Sequence, residues 1–375
     1  MSLPHVPVLC AALALAGLAE QARAQERHRW QFGAVLDVTA TSRALELGGR
    51  DRGLQLGHSD LTARGPLGES LRAQVTASLA THEGKLEKGI EELWLESTSL
   101  PAGLQVRAGR FASQIGYLNP QHPHADDFIE RPLLYRAFFG GHWSDDGVRA
   151  NWTAPLPFYL MVGLEAFRGK RLVAEVADPV RNPGVATWVL ETGADIGKSH
   201  SWQLGVSHIR NRREAIVEDH DHGAQEEEHH HGARFSGRRT WMIDATWKWA
   251  PGGNSRGQQL RSGVEWARVS GLNRFAARSD RHVATALTLA WRFDEAWEVG
   301  VRTDRLRVRM PHEDHFHSAR MSEHAVMVAW KPTHMHSLRL QASTQRDVSG
   351  FEAPARRSVQ LQVVMAFGAH GAHAF

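Results

Sequence analysis

Apolar and polar residues alternate along most of the chain in about sixteen short runs, the period of two of a strand with one face in lipid and the other in a wet lumen. Leu71, Ala73, Val75, Ala77 and Leu79 hold one set of alternate positions, and Arg72, Gln74, Thr76 and Ser78 hold the other. Leu338, Leu340 and Ala342 against Arg339, Gln341 and Ser343 repeat the pattern near the far end. The alternation predicts strands near 29–39, 54–64, 70–81, 88–97, 103–112, 146–154, 157–168, 186–196, 200–210, 238–250, 258–268, 281–293, 296–306, 318–330, 336–346 and 357–368, with ends good to about two to four residues.

The connectors sharpen this. Those after even-numbered strands are short and built of turn formers, as in Gly65-Pro66-Leu67-Gly68, Thr98-Ser99-Leu100-Pro101 and Pro251-Gly252-Gly253-Asn254. Those after odd-numbered strands are mostly long. A sandwich or jelly roll shows no such rhythm over so many strands. The expected fold is all-β, a closed transmembrane antiparallel barrel of about sixteen strands, with both termini in the periplasm and the long loops outside.

Residues 1–24 read as a cleavable leader: an apolar stretch over 7–18 is too short to span a bilayer, and Ala22-Arg23-Ala24 offers the small residues of a cleavage site before Gln25. Residues 25–375 are then a single outer-membrane barrel domain. The only cysteine, Cys10, lies in the leader, so disulfides and thiolate chemistry are excluded from the mature chain. Mean hydropathy is only −0.39, and no later run approaches the roughly 20 apolar residues of a spanning helix. The formal charge of +3 makes no case for nucleic acid; outer-membrane lipid is the expected environment, and a homo-oligomer is compatible with it. Many of the thirteen Trp sit near strand ends, where amphipathic rings favour the membrane interface.

Two kinds of segment carry candidate chemistry. The third outward connector, 112–146, contains Tyr117, His122, His124, Asp126, Asp127, Glu130, Arg131, Tyr135, Arg136, His142 and Asp145. Its Leu133, Leu134, Phe138 and Phe139 are poorly placed in open water. The loop is therefore expected to fold inward and narrow the lumen, with His122, His124, Asp126, Asp127 and Arg136 as pore-loop residues. The second kind is rich in histidine. His220, His222, His229, His230 and His231 lie among Asp219, Asp221 and Glu226 to Glu228, and residues 312–317 read His-Glu-Asp-His-Phe-His. Neutral imidazoles and carboxylates are ligands for Zn²⁺, with nickel and copper as competitors. His220, His222, His229, His230, His231, His312, His315 and His317 are thus candidate metal-capturing residues in extracellular loops. The plainer alternative is a solvated polar loop; acid sensing by the same imidazoles is a smaller one.

No cofactor is required by this reading. Zinc enters as the captured or transported ion. No segment pairs a nucleophile with a base in a recognisable context, so no enzyme is expected. Inward Arg72, Arg302 and Arg339 leave an anion or phosphate porin open, although salt bridging with partners such as Asp304 is the plainer role for each. A surface-binding or adhesion barrel is the remaining class.

The stretch Gly109-Arg110-Phe111, Ile115-Gly116-Tyr117-Leu118-Asn119, Gln121-His122, His124, Asp127-Phe128, Pro132-Leu133, Tyr135, Ala137-Phe138, Gly140-Gly141 and Asp145-Asp146-Gly147 resembles that of zinc-regulated outer-membrane proteins. These are porin-like barrels related to the phosphate-selective porin group and often labelled TonB-dependent receptors. The ending Gly368-Ala369-His370-Gly371-Ala372-His373 is similar to theirs as well. The resemblance implies an outer-membrane location in a Gram-negative bacterium and expression tied to zinc supply; it assigns no binding residue. A TonB-dependent transporter needs about 22 strands and a plug, whereas here the first strand starts within a few residues of the expected cleavage site, so coupling to TonB is not expected.

Overall fold

The structure is a computed structural model, and it describes residues 29–82, 84–173, 176, 182–214, 232–312 and 315–368. The leader, Phe375 and the histidine-rich stretch 220–231 lie outside the described residues. The strands are β1 (Gln31–Thr41), β2 (Gly53–Leu56), β3 (Ser59–Leu67), β4 (Leu71–His82), β5 (Lys85–Ser97), β6 (Leu104–Ala112), β7 (Ser144–Thr153), β8 (Tyr159–Phe167) and β9 (Val185–Ile196). They continue with β10 (His200–Asn211), β11 (Arg239–Trp249), β12 (Gln259–Ser270), β13 (Arg281–Arg292), β14 (Trp297–His312), β15 (His315–Thr333), β16 (His336–Ser349) and β17 (Arg357–Gly368).

β1 pairs antiparallel with both β2 and β3, each strand from β3 on pairs antiparallel with the next, and β1 pairs with β17 to close the sheet. Gly33 stands opposite Gly368, so the first and last strands leave the barrel on one side, the side of the short turns. By the rule that outer-membrane barrels keep short turns in the periplasm, that side is periplasmic. Closure leaves no unpaired edge, as a bilayer demands. β2 is the additional, short strand. It continues the line of β3 along β1, where Leu56 pairs with Val38 and Asp60 with Val35.

The alternation sorts residues between lipid and lumen. Leu61, Leu93, Leu164, Ile243, Val301, Val326 and Leu340 are exposed on the outer wall. Trp152, Trp291, Trp297 and Trp330 are exposed near the periplasmic strand ends, with Trp297 and Trp330 paired across β14 and β15. Trp188 and Trp241 meet edge to face 5.4 Å apart nearer the opposite rim. An apolar belt with aromatic borders is what a bilayer requires. Inside, Asp37, Thr76, Glu165, Arg302, Glu323, Gln341 and Gln360 are buried.

Two strand expectations are revised. The run at 54–64 is interrupted at Gly57 and His58, where the side-chain alternation changes phase. Of the stretch 312–317, His312 and residues 315–317 are strand rather than loop: β14 and β15 stay paired up to His312 opposite His315, and Arg309 faces Ser318 in the same register.

Candidate functional site

The loop between β6 and β7 lies inside the barrel. Its neck is closed by Asn119, whose amide donates to the carbonyls of Ser113 (2.8 Å) and Trp143 (2.9 Å) and whose Oδ1 accepts from the Trp143 N–H (2.8 Å). Beyond Pro132 the loop forms a short helix, α1 (Leu133–Phe139), which Gly140 ends in the left-handed conformation at φ 63°. Every residue of α1 is buried. Leu133, Leu134, Phe138 and Phe139 pack with Phe111, Phe167, Ile209, Phe235, Leu306 and Met321 in one apolar cluster, which fills the extracellular half of the lumen on the β7 to β15 side. The helix is anchored by polar side chains too: the Tyr135 hydroxyl bonds Glu265, and Arg136 pairs with Glu323. Residues between β1 and β2 also fold in, for the Gly49 N–H donates to Glu130 (3.0 Å) and Arg136 donates to the Leu47 carbonyl (3.2 Å).

Against the opposite wall, between this loop and β3 and β5, four histidines and three carboxylates converge. His58 and Asp60 come from the β2–β3 wall, Glu91 and Glu92 from β5, and His122, His124 and His142 from the inward loop. Both wall segments are bulged. Between β4 and β5, Thr76 faces Glu92 while Ala77 faces Ile90, so Glu91 is the extra residue and both adjacent glutamates are buried. At Gly57 to Ser59 the break between β2 and β3 turns His58 inward. Re-aiming a side chain is what bulges do in sheets. Gly57 is required there: a Cβ would meet the Arg50 guanidinium and the Asp37 carboxylate at 1.9 and 2.3 Å.

The spacing is close enough for these side chains to hold a metal ion. His58 Nε2 lies 2.9 Å from Glu91 Oε2. His122 Nδ1 is 3.3 Å from Asp60 Oδ2 and 3.5 Å from Glu91 Oε2. His124 Nδ1 is 3.3 Å from Asp60 Oδ2, and His142 Nδ1 is 2.7 Å from Glu91 Oε1. Donor atoms of His58, Asp60 and His122 all lie within 4.8 Å of one another. Ligands held about 2.0–2.2 Å from a tetrahedral Zn²⁺ stand about 3.4 Å apart, the separation seen between the His122, His124 and Asp60 atoms. Moreover His58 Nε2, Asp60 Oδ2, Glu91 Oε2, His122 Nδ1, His124 Nδ1 and His142 Nε2 are buried and make no hydrogen bond. Five of these atoms face one another as ion pairs at 2.9 to 3.5 Å, and His142 Nε2 faces none of them, so they form a compact buried set of donors that could hold a cation.

Protonation fits the same use. Burial pushes the His124 imidazole down to about 3 and that of His142 below its ordinary value, so both stay neutral and able to coordinate. Burial also disfavours a proton on His122, but Glu91, Asp60 and Glu92 outweigh it and raise His122 well above the ordinary imidazole range. A cation entering the site takes the place of that proton.

Of the expected pore-loop residues, His122 and His124 belong to this cluster. The others do not: Asp126 is paired with Arg131 (2.7 Å), Arg136 with Glu323, and Asp127 with Arg261 (2.6 Å) at the periplasmic end. His312, His315 and His317 sit at the far tip of the β14–β15 hairpin, away from the cluster, and His220 to His231 lie outside the described residues. His58, Asp60, Glu91, Glu92 and His142 were not singled out from the sequence as ligands, yet a signal existed. Outward Leu56 is followed by outward Leu61, and outward Ile90 by outward Leu93. Spacings of five and three break a period of two and mark both bulges.

Comparison with known proteins agrees with the fold. No family model matches the chain. An uncharacterised protein of Aquifex aeolicus is 27% identical over 310 residues, 76% of this chain and 63% of that relative, so the chain spans less than two thirds of its length. Among solved structures, the trimer form of OmpT from Vibrio cholerae is similar with a TM-score of 0.56 at 11% identity, covering 90% of this chain and 99% of that one. The high-pH structure of Pseudomonas putida OprB gives 0.57 at 11%, covering 94% and 97%. An anion-selective porin from Comamonas acidovorans gives 0.54 at 12%, covering 90% and 99%. The fold is that of porin barrels from the outer membrane of Gram-negative bacteria, the membrane that the apolar belt requires.

Proposed function

We propose that the chain is a narrow outer-membrane channel through which a divalent metal, zinc in first place, is taken up. The observation that carries this reading is the buried cluster of four imidazoles and three carboxylates between the loop and the wall. The lumen argues against bulky solutes, because apolar packing around α1 occupies much of its extracellular half. The donors outnumber the four that one tetrahedral zinc needs. A surplus of exchangeable ligands suits an ion that must bind and leave again, since conduction needs sites that are favourable but not final. The histidine-rich extracellular segments would concentrate the ion at the mouth, and the resemblance to zinc-regulated barrels points the same way. A trimer, the form described for Vibrio cholerae OmpT, is the oligomer we propose.

The test is uptake of radioactive zinc by cells lacking their own zinc-scavenging systems and expressing the protein. His58→Ala combined with His122→Ala abolishes the gain in uptake while the barrel still assembles. Replacing His220, His222, His229, His230, His231, His312, His315 and His317 with Asn lowers uptake only at limiting zinc. Undiminished uptake in the double variant removes the metal reading.

A further inference from the structure

Below the cluster, toward the periplasm, the lumen opens into a cavity of about 1110 Å³. His124 stands at the boundary, lining the cavity while its Nδ1 faces Asp60. The two compartments differ in charge. The cluster is rich in carboxylates, whereas eight Arg or Lys side chains line the cavity against five Asp or Glu. Pairing absorbs part of that excess, since Arg131 holds Asp126 and Arg302 is held by Asp304 and Glu323 from outside the lining. Glu298, in the wall beside it, is shared by three cations: Arg261 at 2.9 Å, Lys331 at 3.0 Å and Arg292 at 3.5 Å. Asp127 pairs with Arg261, which Glu298 already holds.

Arg339 is the most telling residue. It is 4% exposed and among the described residues forms no ion pair. Its Nη2 donates to the His124 carbonyl (2.9 Å) and its Nη1 to Gln362 (3.2 Å). Its Nε is buried with no hydrogen-bond partner. A guanidinium without a carboxylate is costly in such a place, and Arg302, by contrast, is neutralised by Asp304 and Glu323. Arg256, exposed on the periplasmic turn, also lines the cavity and forms no ion pair among the described residues.

We infer that this periplasmic vestibule is a second binding site, for a small oxyanion of the phosphate or carboxylate class, with Arg339 at its inner end and Arg256 at its mouth. Guanidinium groups recognise either oxyanion through charge-assisted hydrogen bonds. The site adjoins the metal cluster at His124 but draws on other side chains, and Arg256 at its mouth makes no contact with the cluster among the described residues.

The experiment uses the purified full-length protein in planar bilayers, with inorganic phosphate or acetate added from the periplasmic side against a constant chloride background. The expected result is a saturable reduction of chloride current. Arg339→Gln weakens it by about thirtyfold and Arg256→Gln by about threefold, the latter with zinc affinity unchanged; His122→Ala weakens zinc binding only. Phosphate and acetate arms tell which oxyanion is held. If neither gives saturable block in the unmodified protein, the inference is overturned. Should Arg339→Gln fail to assemble, Arg256→Gln decides, and unchanged block by both anions in that variant also overturns it.

Discussion

At the scale of single residues, the cluster is organised around Glu91. One of its carboxylate oxygens faces His58 and His122, and the other accepts from or faces His142. Glu91→Gln keeps the shape but removes the charge that several imidazoles share, and zinc affinity measured by calorimetry should fall by at least about tenfold. The pH dependence has a definite sign. His122 is raised and already holds at neutral pH a proton that zinc must displace, so affinity should fall as pH is lowered from about 7 toward 5 with release of about one proton per bound ion throughout. Titrations in buffers of different ionisation enthalpy count the protons released. A pH-independent affinity over that span would mean that these imidazoles are not the ligands.

Among the elements, α1 is unusual in a barrel lumen, being a single helical span of two turns with no polar face exposed. Pro132 precedes it with fixed φ, and Gly140 ends it, so its length is set locally. Its position is set by packing. Each fully buried leucine or phenylalanine gains about 1.5–3 kcal/mol, and Leu134 is fully buried. Leu134→Ala should weaken the docking of the loop by about 2–5 kcal/mol, seen as noisier and larger single-channel currents with the heat resistance of the barrel itself little changed. Gly116 shows how closely the loop is packed: at φ +61°, a Cβ would lie 2.5 Å from the Tyr135 hydroxyl.

For the whole molecule, sixteen strands close independently of what fills them, because every wall hydrogen bond runs between neighbouring strands. Replacing residues 120–142 with a short Gly/Ser connector should therefore leave a folded barrel, since β6 and β7 pair directly from Leu104 opposite Trp152 to Ala112 opposite Ser144. Single-channel conductance should rise several-fold and zinc should no longer bind inside. Unchanged conductance in a correctly folded barrel would place the restriction elsewhere in the lumen.

The strands, their alternation and the division into short turns and long loops were legible in the chain, because a period of two is a local property and lipid on one side enforces it. The inward loop was legible for a similar reason: Leu133, Leu134, Phe138 and Phe139 have to leave water. His122 and His124 could be named from it as residues of that inward loop. What only the tertiary structure decided is where that loop lands and which wall it faces. His58, Asp60, Glu91 and Glu92 lie in runs whose broken period marks the two bulges, but what gathers them is contact with a loop distant in sequence. Arg302 and Arg339 looked alike as inward cations, yet one is paired with carboxylates on its own and a neighbouring strand and the other has none within ion-pair distance among the described residues. Such outcomes depend on register and on contacts between segments far apart in the chain, and no local pattern encodes them.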